Sequence, residues 1–292
     1  MEITASMVKE LRETSGAGMM DCKKALVECN GDMDKAMDWL REKGIAKSAK
    51  KESRIAAEGL ANIYVEGNKA VVIEVNSETD FVSKNEEFTS MIDVIGKAIL
   101  SSDATTVEET LELPCEEGTI RDLIVAKTAK IGEKLSLRRI AVLTKEDSDS
   151  FGAYLHMGGK IAVLALLKGA NETVAKDVAM QAAAMRPEYV KKEDVPADVI
   201  EREKAVLKEQ AMNEGKPADI AEKMVIGRIN KFYKEICLTL QPFIKDGDID
   251  VETYVKNNNG EVIDVIRYEV GEGMEKRNDN FAEEVMNQVN GN

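Results

Sequence analysis

Apolar positions recur at helical spacing through the first 44 residues and change to strand-like runs near residue 60. Val8 and Leu11 lie one turn apart behind Thr4, a residue suited to capping. Cys22, Ala25, Leu26 and Cys29 repeat at i, i+3, i+4, i+7, and Asn30-Gly31 supplies a stop. Asp32 is placed to cap a third stretch with Met33, Ala36, Met37 and Leu40 on one face, and Gly44 ends it. Three stripes of this size predict a small bundle. The basic, Ala-rich segment from Ala46 to Arg54, with Lys47, Lys50 and Lys51, predicts a linker helix.

Residues 60–65 and 69–75 predict a hairpin around Glu66-Gly67-Asn68. A helix carrying Phe88, Met91, Ile92, Ile95 and Ile99 follows, then a stretch of low periodicity, 101–118, with Pro114. A second helix covers Ile120 to Lys130, and a strand covers Leu135 to Leu143. The order then recurs. Residues 151–156 and 160–167 form a hairpin around Met157-Gly158-Gly159, and a helix with Val174, Val178 and Ala182 follows Asn171. A later helix, 251–257, precedes a strand, 262–270. Hairpin, helix, helix, strand twice over predicts two similar α+β subdomains.

The second copy is interrupted by two long charged helical stretches, 198–213 and 218–236, separated by Asn213-Glu214-Gly215-Lys216-Pro217. Gly as a stop and Pro as a start mark an αα-hairpin. Its stripe is Ile220, Met224, Ile229, Tyr233 and Ile236. Either the two helices bury this stripe between themselves, or the pair is an arm that docks on another molecule.

The chain has 292 residues, enough for about two domains with a core, and its 43% hydrophobic and 32% charged content is that of a globular protein. With only 4% aromatic residues, the core must be largely aliphatic and Met-built. The apolar runs are too short to cross a bilayer. Glu2, Lys9 and Glu10 surround the first stripe where a signal peptide would need an apolar run, so a cytoplasmic location is expected. Cys22, Cys29, Cys115 and Cys237 form no C-x-x-C pair and suit free thiols in a reducing compartment. The net charge of -14 is uneven: residues 1–54 sum to +1 and the remainder to -15. So acidic a body argues against a nucleic-acid groove and favours a protein partner.

Catalytic motifs are sparse. His156 is the only histidine, and neither a zinc-protease motif nor a P-loop is present. Gly271-Glu272-Gly273 follows the last strand and lacks the third glycine of a dinucleotide site. No bound cofactor or metal is expected. A hydrolase would have to pair one of the four cysteines with His156. Three places instead read as surfaces. In Gly16-Ala17-Gly18-Met19-Met20, the two methionines either fill the bundle or offer a protein contact. In Thr79-Asp80-Phe81-Val82, either Asp80 caps the next helix with Phe81 packed beneath it, or a partner buries the ring. His156 lies at a Gly-rich turn, as a solvated residue or a functional one.

Ser15-Gly16-Ala17-Gly18-Met19-Met20-Asp21-Cys22-Lys23-Lys24-Ala25-Leu26 resembles the N-terminal signature of bacterial elongation factor Ts, and Glu74-Val75-Asn76-Ser77-Glu78-Thr79-Asp80-Phe81-Val82 resembles its second. Ala129-Lys130-Ile131-Gly132-Glu133, Tyr154-Leu155-His156-Met157-Gly158-Gly159 and Arg267-Tyr268-Glu269-Val270-Gly271-Glu272-Gly273 match in order. The resemblance covers essentially the whole chain. It implies an α+β fold: an N-terminal three-helix ubiquitin-associated-like module with its linker (1–54), a core of two related subdomains (55–147, and 148–187 with 238–273), an inserted antiparallel helical hairpin (188–237) and a C-terminal helical module (274–292).

The resemblance also implies guanine-nucleotide exchange on elongation factor Tu. Asp80 and Phe81, completed by Thr79 and Val82, are then the wedge that displaces magnesium from the partner. Arg12, Met19, Met20, Lys23, Ile131, Gly132, His156 and Phe281 match further contacts. The 188–237 arm is a candidate homodimer contact, and no direct nucleic-acid or membrane contact is implied. The chain departs from many members at Ala162, where they have Gly. A different class, a ubiquitin-associated-type adaptor that only tethers its partner, leaves the wedge and the large core unused; a GDP-release assay separates the two.

Overall fold

The computed structural model describes residues 3–15 and 17–275. α1 (Ala5–Ser15) starts behind Thr4, whose Oγ1 accepts the Met7 amide at 3.3 Å. α2 (Met19–Glu28) stops where Asn30 and Gly31 both turn to positive φ, 52° and 82°. Asp32 caps α3 (Met33–Ala49), accepting from the Lys35 amide at 3.1 Å. The three helices enclose Val8, Leu11, Cys22, Ala25, Leu26 and Ala36, with Met33, Met37 and Leu40 packed around them. Gly44 does not end the third helix. α3 runs through it and absorbs the start of the segment read as a separate linker helix, Ala46 to Ala49, after which the chain leaves the helix. A glycine inside a helix costs only about 1 kcal/mol against alanine, and the alanines and lysines that follow are good helix formers.

β1 (Glu58–Glu66) and β2 (Lys69–Ser77) form the first hairpin, its turn relieved by Gly67 at φ 55°. α4 (Glu86–Leu100), capped by Asn85, buries Phe88, Met91, Ile92, Ile95 and Ile99. The stretch read as aperiodic holds a short helix, α5 (Val107–Leu111), stabilised by a Thr106/Glu109 capping box. Too short to show a stripe, it is specified by its cap. β3 (Pro114–Cys115) and β4 (Gly118–Thr119) lead into α6 (Ile120–Ile131), which ends at Gly132 with φ 91°. β5 (Ser136–Thr144) completes a sheet of order β1-β2-β5.

β6 (Asp149–His156) and β7 (Ile161–Lys168) pair antiparallel with His156 opposite Ile161. α7 (Glu172–Met185) begins at the Asn171 cap and lies against β6; a Cβ on Gly152 would fall 2.0 Å from the Ala175 carbonyl carbon. α8 (Ala197–Asn213) and α9 (Ala218–Ile236) form the inserted hairpin. β8 (Pro242–Phe243), β9 (Asp246–Asp250), α10 (Val251–Asn257) and β10 (Glu261–Glu269) follow. The second sheet has the order β10-β7-β6. Val163, Leu167, Val178, Phe243, Val251 and Val262 are among its core residues. In both sheets the last strand joins the second strand of the hairpin.

Of the stripe expected on α9, Ile229 and Ile236 are buried and Met224 and Tyr233 half-buried, but its first residue is not. Ala221, Val225, Ile229 and Ile236 are buried, whereas Ile220 is exposed. Ala221, Val225 and Ile229 repeat every four residues, with Ile236 two turns further on, and the face begins with alanine, which a search for large apolar groups passes over. By contact density the chain forms two compact units. One comprises residues up to Asn62, Ile73–Ala141 and Glu269 onward, and the other comprises Ile63–Val72 and Val142–Tyr268.

Candidate functional site

β2 ends on a charged core. Glu74 is fully buried and accepts from Arg138 Nη1 at 2.9 Å, Arg139 Nε at 2.5 Å, Asn76 Nδ2 at 3.0 Å and the Gly271 amide at 2.9 Å. Burial works to raise its pKa, but the Gly271 amide, Asn76 and the two guanidinium groups outweigh burial and hold it below the usual carboxylate range. A buried carboxylate this well paired fixes the strand from which the next loop departs.

That loop divides the Thr79-Asp80-Phe81-Val82 motif in two. Thr79 is half-buried: its amide donates to Glu133 Oε2 at 2.9 Å and its hydroxyl to Glu133 Oε1 at 2.7 Å. Val82 and Ser83 are buried in a single 3-10 turn, Val82–Lys84. Asp80 and Phe81 face water, and the Phe81 ring is 81% exposed. Ser77 Oγ donates to the Thr79 carbonyl at 2.8 Å, and Ser83 Oγ donates to the Asp80 carbonyl at 2.5 Å. The reading in which Asp80 caps the next helix and Phe81 packs beneath it is therefore overturned. Asn85, adjacent to α4, takes the cap, and the intervening turn carries Phe81 outward.

Ile131 and Gly132 close α6, and the chain reversal at Gly132 delivers Glu133 to Thr79. The structure thus brings Ile131, Gly132 and the Thr79–Val82 loop together, with Glu133 as the link that motif reading left without a role. The end of α3 joins the same place. Lys51 Nζ donates to the Gly132 carbonyl, and Lys134 Nζ donates to the carbonyls of Glu52 and Arg54 at 2.5 and 3.1 Å. Arg41 pairs with Asp122 at 3.1 Å. The N-terminal bundle is thereby held to α6 by side chains, not by a bare linker.

Met19 and Met20 open α2 and are 56% and 75% exposed, so neither fills the bundle. Arg12 and Lys23 are exposed as well. In the second unit, His156 ends β6 in the open, its Nδ1 3.2 Å from the Tyr154 hydroxyl. Met157 beside it takes φ 50° and is 72% exposed. Ala162 is buried in β7 opposite Leu155, and the hairpin closes normally around it. Phe281, the 274–292 module beyond Glu275, and Gly16 lie outside the described residues.

All four cysteines are free, Cys22 and Cys237 being buried. Burial, with a smaller push from Asp194, lifts the Cys237 thiol to about 11, and burial raises Cys115 too, opposite to an activated nucleophile. Among the described residues no group of three or more His, Cys, Asp or Glu could hold a metal ion, and no helix is long and apolar enough to cross a membrane.

A family model described as Elongation factor TS matches residues 78–272, a span that opens one residue before Thr79 and takes in Ile131, Gly132, His156 and the inserted hairpin. The elongation factor Ts of Limosilactobacillus reuteri (strain DSM 20016) is 55% identical over 289 residues, covering 99% of both chains. That of L. reuteri subsp. reuteri (strain JCM 1112) aligns to the same extent. With the motif loops built as described and relatives aligned from end to end, the chain belongs to the elongation factor Ts family.

Proposed function

We propose that this chain is a guanine-nucleotide exchange factor for elongation factor Tu in translation. It binds the GDP-bound partner and promotes GDP release by dislodging the partner's magnesium ion, after which GTP binds. The observation that carries this reading is Phe81, a large apolar ring held 81% in water beside an exposed carboxylate. Such a ring gains most of its burial free energy only when a partner covers it. Magnesium neutralises the phosphates of a bound nucleotide, so a ring that displaces its ligands weakens nucleotide binding without bond chemistry. Exchange factor and nucleotide then oppose one another on the partner in both directions.

Arg12, Met19, Met20 and Lys23 on the N-terminal module form a second docking surface in this reading, and His156 with Met157 a third. The residues 1–54, 55–147, 148–187 with 238–273, 188–237 and 274–292 serve as module, two core subdomains, arm and C-terminal module. The deciding experiment measures release of fluorescent GDP from elongation factor Tu with and without the chain. Acceleration by the parent that is lost in Phe81→Ala supports the proposal. Binding without acceleration would instead make the chain an adaptor.

A further inference from the structure

Two adjacent residues on the wedge loop and two on the loop after α6 exchange carboxylates. Glu133 accepts the amide and hydroxyl of Thr79 at 2.9 and 2.7 Å. In return, Glu78 accepts the Lys134 amide at 2.6 Å. Each loop therefore supplies an acid to the backbone of the other, the arrangement by which a capping box closes a helix end, here formed between segments more than fifty residues apart. Arg54 Nη1 donates to both Glu78 oxygens at 3.2 and 3.4 Å, and Lys134 Nζ grips the carbonyls of Glu52 and Arg54. The rivet thus also receives the end of the segment coming from the bundle.

We infer that Glu133, with Glu78 as its reciprocal, is a positioning residue for nucleotide exchange: it holds Thr79 inward so that Asp80 and Phe81 are presented outward in one geometry. Thr79 then acts as a strut. Its amide and hydroxyl hydrogens are both committed to Glu133, which leaves it no donor for a partner. This rests on the wedge reading of Phe81, and the test keeps the two apart.

Full-length Glu133→Ala, Glu133→Gln, Thr79→Val, Thr79→Ser and Phe81→Ala are compared by amide hydrogen exchange, thermal unfolding and GDP release at saturating chain. Gln can accept the Thr79 amide and donate to its hydroxyl, so Glu133→Gln keeps both bonds, as does Thr79→Ser. Glu133→Ala is expected to lose amide protection in 78–84 with other segments unchanged. It should also lower the maximal release rate by at least about tenfold, the scale of even one lost bond to a charged acceptor at its weakest. The half-saturating concentration should change little, because the other docking residues are intact. Glu133→Gln and Thr79→Ser should stay near the parent, and Glu133→Ala combined with Thr79→Val should be no worse than the first alone.

Parent-like loop protection or parent-like release in Glu133→Ala overturns the proposal, as does a Gln variant as impaired as Ala. If Glu133→Ala does not fold, Thr79→Val, which removes only the hydroxyl bond, carries the same comparison. Loss of loop protection while Phe81→Ala still releases GDP normally would leave the rivet standing as structure. It would refute the wedge, and the positioning role with it.

Discussion

Phe81→Ala separates a ring that serves the fold from one that serves a partner, because its exposure sets both magnitudes. Burying a phenylalanine fully is worth roughly 1.5–3 kcal/mol. With the ring 81% exposed, the folded chain recovers about a fifth of this, about 0.5 kcal/mol. Truncation should therefore move Tm by no more than about 2 °C. The remaining four fifths, about 2 kcal/mol, becomes available when a partner covers the ring. At 1.36 kcal/mol per tenfold, its loss lowers GDP release at subsaturating chain by about thirtyfold. Stopped-flow release of fluorescent GDP from elongation factor Tu gives the rate, and calorimetry gives Tm. Phe81→Leu, which keeps an apolar group of smaller area, should fall between the two. A Tm loss beyond about 5 °C would place Phe81 in the core, and parent-like release would place the functional surface elsewhere.

Other perturbations test the supports around it. Glu74→Gln leaves Arg138 and Arg139 facing a neutral group at a fully buried site, and should cost about 3 kcal/mol in a denaturant titration; a loss under about 1 kcal/mol would mean the guanidinium groups are solvated instead. The Glu87 carboxyl is held at about 2 by Lys127 and Lys130, at 2.5 and 2.7 Å. Because this folded pKa lies below the ordinary value of 4.5, its contribution is fully present above pH 4.5 and is lost as pH falls toward 2. With the Glu87 side chain 37% exposed, screening limits this to about 1 kcal/mol, so Glu87→Gln should differ from the parent at pH 7 and converge with it near pH 2; a gap independent of pH would exclude the ion pairs. Val82→Ala removes buried methyl groups and should cost about 2 kcal/mol of stability, the reverse of Phe81→Ala; an unchanged Tm would mean that the 3-10 turn does not rest on Val82.

Most elements could be read from periodicity and caps, and the departures have specific causes. Thr4, Asp32 and Asn171 all act at helix starts, because a short polar side chain before an apolar stripe has few other uses. Gly44 misled because a glycine stops a helix only where the chain turns to positive φ, and nothing local to Gly44 demands that. α5 was missed because five residues cannot display a period. At the site, an aromatic in a polar turn was legible as an anomaly, but the direction it faces was not. Asp80 was read as the cap of α4, but the 3-10 turn Val82–Lys84 intervenes and Asn85, passed over in the sequence, takes that place. Glu133 was visible within a motif and silent in role. Its partner Thr79 lies 54 residues away in sequence, and a contact that distant leaves no periodic trace.

The rivet and the exposed ring require one another. A phenylalanine on a slack loop would fold back onto its own surface, and a partner would have to order the loop on docking, at about 1–2 kcal/mol for each backbone residue fixed. Over five residues, that cost would exceed the roughly 2 kcal/mol the ring can return. Here the ordering is done when the chain folds. The Thr79 amide is bound to Glu133, the Thr79 and Asp80 carbonyls to Ser77 and Ser83, and the Phe81 carbonyl to the Lys84 amide. Val82 is seated in the core beneath them. Phe81 and Asp80 are thus held in a geometry already set, and in the proposed exchange role the free energy of burying the ring would remain to act on the partner's magnesium site.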